Sequence, residues 1–447
     1  GGERPATPRA RRWRRAGPPL IGASCAALAL TVALTLGTDW LTTHERALLI
    51  RLAGRAPAAR EVVLVDLERW PLQPTELEQV LVSVAEARPS VVVLDVLADD
   101  DGTLAAWTDE GVFEPALLDR SRTLLVVSCD WAIGDKGPPV AVSLRRPPAS
   151  LAAFHQATAE LTPPERLDRA TPVMAARQVW RTADGTTWLG AALAATLLHR
   201  GVDLPTQRTL PPGVNTSTVR IPRTGSLLLD EGALWFDHVP SEDDFVVVRA
   251  RDAVARRSEV DRALAGRIVV IGLVRSVSSV DWHLTPGGWR RGAILHAAQA
   301  EQALAGRSYL PMSSLEARLL AALALVLAAL AAHRLEPVLA GLATALGLSL
   351  VVTLAVAGLR GSMTLVPLFH VGTGAVLGLL GVGVARAHQV RRDLHAFRLT
   401  AGDASDPVAS LLRRVYFLCS LVNERIKVGI GPARDEVAAG EQRKAGF

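Results

Sequence analysis

Four stretches of this sequence are long and apolar enough to cross a lipid bilayer, and their placement divides the chain. The hydrocarbon core of a bilayer is about 30 Å thick and requires roughly 20 apolar residues in helical conformation. The stretches are residues 18–38, 313–332, 337–359 and 364–385. The sequence therefore predicts one N-terminal and three C-terminal transmembrane helices, which enclose a large domain at residues 39–312.

The distribution of arginine predicts the orientation of these helices, because loops rich in Lys and Arg stay on the cytoplasmic side. The basic tail of residues 1–17 contains six arginines, and only Arg360 lies between the third and fourth stretches. The segment directly after the fourth stretch contains Arg386, Arg391, Arg392 and Arg398. We therefore expect a multi-pass protein of the cell (inner) membrane with both termini in the cytoplasm, residues 386–447 forming a short cytoplasmic tail.

The first apolar stretch has two interpretations. Its basic flank also fits a secretory signal peptide, but its apolar run is long for the core of such a peptide. We predict an uncleaved anchor. With either interpretation, residues 39–312 lie outside the cytoplasm.

The net charge of +5 does not indicate a nucleic-acid partner. The six arginines and one glutamate of the first seventeen residues already account for +5, so the rest of the chain is neutral overall. A nucleic-acid-binding domain would carry a basic surface of its own.

Common enzyme motifs are also missing. The sequence has no Gly-Lys dipeptide, and hence no phosphate-binding P-loop, and it has neither HExxH nor GxSxG. Its three cysteines form no CxxC pair. We therefore expect no enzyme activity, no cofactor and no metal site.

Between the membrane stretches, short apolar runs alternate with amphipathic ones. The predicted strands are residues 61–67, 90–96, 123–129, 234–239, 245–249 and 267–274. The predicted helices are residues 75–87, 188–200 and 292–305. Apolar strands alternating with helices are typical of a parallel or mixed sheet covered on both faces. The sequence therefore predicts an α/β sandwich, with long loops at residues 145–164 and 204–225.

Several of these runs resemble the CHASE domain of type 2 in their order and spacing. They are VVLVDLE at 62–68, Trp70-Pro71, VVVLDV at 91–96, Asp184-Gly185, GRIVVIGLV at 266–274, Asp281, Thr285-Pro286, Gly292 and His296. That family is an extracytoplasmic sensory domain of bacterial signalling proteins, often placed after one membrane helix and before three. The resemblance implies a sensory receptor, here without a fused output enzyme.

Three aspartates, Asp66, Asp95 and Asp281, lie at or just beyond apolar strands. Ligands of α/β sheets bind in the crevice at the carboxyl ends of the strands, so these residues are predicted to line a ligand site. Alternatively, they cap nearby turns and helices. The resemblance adds Thr285 and His296 to the candidate site, and a histidine that titrates near neutral pH would make the domain pH-sensitive.

The predicted function is that of a transmembrane sensor, which detects an unknown extracytoplasmic ligand or condition and signals to a separately encoded cytoplasmic effector. The tail of residues 386–447 leaves no room for a catalytic output domain, and its segment 408–422 has one apolar helical face suited to a partner. A homodimer is the expected assembly. The alternatives are a metal-dependent envelope hydrolase that uses the three aspartates and a non-sensing membrane scaffold.

Overall fold

A computed structural model describes most of the chain between residues 45 and 401. The described residues are 45, 48–50, 60–98, 103–132, 140–158, 173–183, 185–204, 210–236, 240–255, 258–275, 281–285, 288–308, 310–360, 364–365 and 368–401. The predicted first membrane helix at 18–38 and the amphipathic segment at 408–422 lie outside them.

The strands form one large parallel sheet and several two-stranded ribbons. They are β1 Val62–Asp66, β2 Val91–Leu97, β3 Thr123–Val127, β4 Cys129–Ala132, β5 Val140–Leu144, β6 His155–Thr158, β7 Ala175–Arg177, β8 Val179–Arg181, β9 Thr187–Leu189, β10 Thr218–Ile221, β11 Gly225–Leu228, β12 Ala233–Trp235, β13 Val246–Arg249, β14 Ile268–Gly272, β15 Trp282–Thr285, β16 Gly288–Arg291, β17 Leu310–Pro311 and β18 Thr364–Leu365.

The helices divide into those of the α/β domain and three long ones near the C-terminus. They are α1 Pro74–Glu86, α2 Thr103–Asp109, α3 Ala191–His199, α4 Ala250–Val254, α5 Ser258–Leu264, α6 Gly292–Leu304, α7 Ser314–Arg334, α8 Pro337–Arg360 and α9 Leu368–Ala401. Short 3₁₀ turns occur at Pro115–Leu117 and Glu242–Asp244.

The central sheet has the strand order β13-β1-β14-β2-β3-β6, and all of its pairings are parallel. Strands β1, β3 and β14 are buried along their whole length, as expected when helices cover both faces of a parallel sheet. Leu64, Val93 and Val270 belong to one core with residues of α3 and α6. Val63, Leu94 and Ile271 face the other core, which α1, α4 and α5 help to form. The predicted α/β sandwich is confirmed.

Helix α6 is buried on every side. One side packs against the sheet, and the other meets a ribbon in which β12 pairs antiparallel with β7. A helix that is apolar all round belongs in a core, and the sequence of α6 is rich in alanine and leucine. Its buried polar residues are His296, Gln299, Glu301 and Gln302, and both glutamines donate hydrogen bonds.

Two predictions for the domain are wrong. The helix expected at 188–200 begins only at Ala191, because Trp188 and Leu189 pair with β8 in a hairpin. The loops expected at 145–164 and 204–225 contain β6 and β10. Strand β6 completes the large sheet, yet its sequence, His-Gln-Ala-Thr, has no apolar run to reveal it.

Helices α7, α8 and α9 are each long and apolar enough to cross a membrane. Leu319, Leu346 and Leu380 are more than half exposed on their surfaces, which suits contact with lipid chains. The fourth stretch was expected to be helical from residue 364, but Thr364 and Leu365 instead pair with β17. Helix α9 then continues beyond the apolar stretch to Ala401.

The chain divides into two compact units. Of the described residues, one unit comprises those of 45–324 and 342–375 and holds the α/β domain. The other comprises those of 325–341 and 376–401; within it Ala329, Ala340 and Val382 pack together, and the guanidinium of Arg386 donates hydrogen bonds to the carbonyl oxygens of His333 and Leu335.

Gly232, in the turn before β12, lies so close to β8 that a substitution there tests the packing of the two segments. Gly232 has a φ of +89°, and a Cβ there would lie 2.3 Å from the carbonyl oxygen of Val179. We expect Gly232→Ala to lower the free energy of unfolding by about 1–3 kcal/mol more than Gly185→Ala, because of the added clash. Gly185 has a φ of +83°, and a Cβ there would meet no atom of the described residues within 4 Å, so Gly185→Ala incurs the backbone strain alone. Thermal unfolding of both variants in detergent measures the difference, and equal losses would contradict this packing.

Candidate functional site

The candidate site lies at the carboxyl ends of three adjacent strands. Asp66 ends β1, Asp95 lies near the end of β2, and Gly272 ends β14 between them. A Cβ at Gly272 would come within 3.2 Å of the Asp95 side chain. The absence of a side chain at Gly272 therefore leaves room for the Asp95 carboxyl group beside the middle strand.

Asp66 stabilises the chain where two strands end. Its buried Oδ1 accepts hydrogen bonds from the backbone N–H groups of Glu68 and Val274, each at 3.0 Å. These contacts tie the turn after β1 to the segment after β14. They are the turn-capping contacts that the sequence left as an alternative to ligand binding.

Asp281 caps the first turn of α6. Its Oδ2 accepts a hydrogen bond from the backbone N–H of Gly292 at 2.9 Å, and its Oδ1 lies 3.2 Å from Nε2 of His283. A carboxylate is favourable at a helix N-terminus because the first N–H groups lack partners in the helix. A Cβ at residue 292 would lie 2.6 Å from Oδ1 of Asp281, so only glycine permits this approach.

Burial and a neighbouring charge change the protonation of Asp95. Burial raises the pKa of Asp95 well above its ordinary value, and the negative charge of Asp281 raises it further. Nε2 of His296, which is buried in α6, lies 3.9 Å from Oδ1 of Asp95. This distance is at the outer limit of an ion pair, and the raised pKa favours a protonated Asp95 beside the imidazole.

Arg291 is a site residue that the sequence analysis missed. Its side chain is fully buried at the end of β16, and its guanidinium carbon lies 4.0 Å from the centroid of the Trp282 ring. Burial lowers the pKa of Arg291, whereas the charges of Asp281 and Asp66 raise it. The sequence shows only an ordinary Arg-Arg pair before a helix, and nothing in it distinguishes the buried arginine from Arg290.

β15 and β16 form an antiparallel hairpin, and Thr285 lies at the end of it opposite to Arg291. Its hydroxyl donates a hydrogen bond to the carbonyl oxygen of Gly288 at 2.7 Å, which holds β15 to β16 next to the turn. The structure thus brings Asp95, Asp281 and His296 together and gives Thr285 a place in the hairpin. Its predicted contact with a ligand stays a prediction.

The arrangement is suited to recognising charge and protons. It combines a buried cation, an acid whose neutral form is favoured, and the partly exposed carboxylate of Asp281. Within the described part of the chain, no group of three or more His, Cys, Asp or Glu side chains could hold a metal ion.

Comparison with known protein families identifies the class of the chain. The model of the CHASE2 domain matches residues 25–331, and the chain belongs to this family. CHASE2 is an extracytoplasmic sensory domain, and three helices of membrane-spanning length lie at the C-terminal end of the matched range and beyond it, so the chain is a sensory membrane protein. Neither the curated proteins nor the solved structures contain a match to this chain.

The raised pKa of Asp95 predicts how stability depends on pH. When the pH rises above the pKa of an unfolded aspartate, the folded chain still holds a proton that the unfolded chain has released, so unfolding becomes more favourable. Stability should therefore be full in acid and fall as the pH rises through the folded-state pKa of Asp95. Asp95→Asn should flatten this fall, as measured by thermal unfolding between about pH 4 and 8.

Asp130→Asn is a suitable control for this measurement. Asp130 is exposed and forms a surface ion pair with Arg145, and such pairs contribute little to stability. If Asp95→Asn kept the pH dependence of the native chain, the assignment to Asp95 would be wrong.

Proposed function

We propose that this chain is a transmembrane sensor whose stimulus is detected by the site around Asp95, Asp281, Arg291 and His296. The observation that carries the proposal is the position of α6. Its first turn lies in the site, and its second half is hydrogen-bonded to the β7–β12 ribbon. That ribbon packs against the ends of two membrane helices. A change at the site thus has a continuous packed route to the membrane.

Two buried hydrogen bonds form the first step of this route. Nε2 of Gln299 donates to the carbonyl oxygen of Leu234 at 3.0 Å, and Nε2 of Gln302 donates to that of Trp235 at 2.6 Å. Both glutamines are fully buried, and an unsatisfied amide there would cost about 1–3 kcal/mol. Helix α6 therefore cannot shift without moving β12 or losing these bonds.

The β7–β12 ribbon makes the second step. Ala176 and Phe236 pack with Leu295 and Ala298 of α6. On the other side, Met174 and Trp235 form a cluster with Leu49, Ile50 and Ala355, against which Leu368 also packs. Ala355 lies near the end of α8, and Leu368 begins α9.

The carboxylate of Glu45, which precedes β1 in the chain, is hydrogen-bonded to the start of α9. Oε2 of Glu45 accepts a hydrogen bond from the backbone N–H of Phe369 at 2.6 Å, in the first turn of α9. This contact resembles that of Asp281 with α6, and it is favourable for the same reason. Movement of the β7–β12 ribbon would therefore act both on the segment that contains Glu45 and on the start of α9, because the ribbon packs near both.

We further infer that residues 39–312 lie outside the cytoplasm, both termini lie inside, and residues 386–447 bind a separately encoded effector. The arginines at both ends of the chain support this orientation. A ligand can drive such a sensor only if it binds its two states with different affinity. A homodimer would let the terminal helices respond together.

Hydrogen exchange of the full chain in lipid nanodiscs tests the route. Asp95→Asn imitates the protonated acid, and we expect it to change exchange at the start of α6, at β12 and at the outer end of α8. In the double variant Asp95→Asn with Gln302→Leu, the change at α6 should persist, while that at residues 350–360 should be lost. A response at residues 350–360 that survives Gln302→Leu would contradict the proposed route.

Photo-crosslinking in cells tests the effector. A photoreactive amino acid at Leu399, near the end of α9, should capture a cytoplasmic protein, and the yield should change with Asp95→Asn. The same probe at Val338, a highly exposed residue in the first turn of α8, serves as the control and should not respond to Asp95→Asn. Failure to capture any protein from positions in residues 386–447 would contradict a separate effector.

A further inference from the structure

The β15–β16 hairpin exposes two tryptophans on one face. Trp282 is 40% exposed and Trp289 is 44% exposed. In the antiparallel register, Trp282 lies opposite Arg291 and Leu284 lies opposite Trp289. Directly opposed residues share a face of a hairpin, and so do residues two apart along one strand, such as Trp282 and Leu284. These four side chains therefore lie on the same face.

The hairpin is linked through the segment before β7 to the packing of the domain against α8. The backbone N–H of Val173 donates a hydrogen bond to the carbonyl oxygen of Leu284 at 2.7 Å. The next residue, Met174, packs in the cluster that contains Ala355 of α8. The hairpin is therefore hydrogen-bonded to Val173, and the residue next to Val173 packs against α8.

A second contact fixes the hairpin to the body of the domain. Nε of Arg290, on the opposite face, donates a hydrogen bond to the carbonyl oxygen of Pro240 at 2.8 Å. On the tryptophan face, the Arg291 guanidinium packs over the Trp282 ring. The hairpin is thus held in place while the two indole rings remain in part outside the core.

We propose that this tryptophan face rests in the headgroup region of the outer leaflet of the bilayer. Tryptophan is enriched at this depth because its ring is apolar while its N–H still finds hydrogen-bond partners. The continuity of the hairpin with the packing against α8 favours lipid over a soluble partner. Since the Trp282 ring packs against the buried guanidinium of Arg291, one side-chain contact would separate the lipid from the candidate site.

Spin-label accessibility of the full chain in nanodiscs of phosphatidylcholine and phosphatidylglycerol tests this surface. In a background of Cys25→Ser, Cys129→Ala and Cys419→Ser, a nitroxide is attached at Trp289→Cys. We expect a several-fold lower accessibility to a water-soluble nickel relaxant, and higher accessibility to oxygen, than for a label at Val112→Cys. Val112 is 44% exposed, the same as Trp289, and follows α2 in the domain.

The possible outcomes separate the occupants of this face. Equal nickel accessibility at the two positions would overturn the proposal. Dipolar broadening between labels at Trp289→Cys would also overturn it, because the face would then meet a second copy of the chain. If Trp289→Cys does not fold, quenching of the native tryptophans by brominated lipid is compared with that of Trp289→Phe. Loss of part of the quenching is expected, and unchanged quenching would contradict lipid contact.

Discussion

The complete burial of α6 is the constraint on which the rest of the domain depends. This helix packs against the parallel sheet on one side and against the β7–β12 ribbon on the other. Interiors are close-packed and do not deform continuously, so displacement of α6 must move its neighbours. The same helix carries His296, its first turn is capped by Asp281, and α7 begins ten residues after its end.

Electrostatics of the site follow from the same burial. Burial of Arg291 removes the water that would solvate its charge, and the charges of Asp281 and Asp66 offset part of this desolvation cost. Asp95 is buried near the charge of Asp281 and favours its neutral form. A site held in this balance responds to any added charge or proton, because each changes the stability of the groups already present. This sensitivity fits the sensory family to which the chain belongs.

Part of the candidate site could be predicted from the sequence. Asp66 and Asp95 end apolar runs, and the carboxyl ends of parallel strands meet at one edge, so the pattern places them near each other. Arg291 could not be predicted, because arginine is usually exposed and only the hairpin carries it inside. The hydrogen bonds of Gln299 and Gln302 could not be predicted either, because a predicted strand at 234–239 does not show which side chains its carbonyl oxygens bind.

The sequence by itself determined the membrane helices at 313–359, the strands β1, β2, β3 and β14, and the α/β class, because hydrophobic length and periodicity are local properties of the chain. It did not determine β6 or the late start of α9. Strand β6 is held by pairing with β3, and the start of α9 is displaced by pairing of β18 with β17. Only the tertiary structure decided which buried polar groups meet, because such contacts join segments far apart in sequence, and their energy exists only once water has been excluded from both partners.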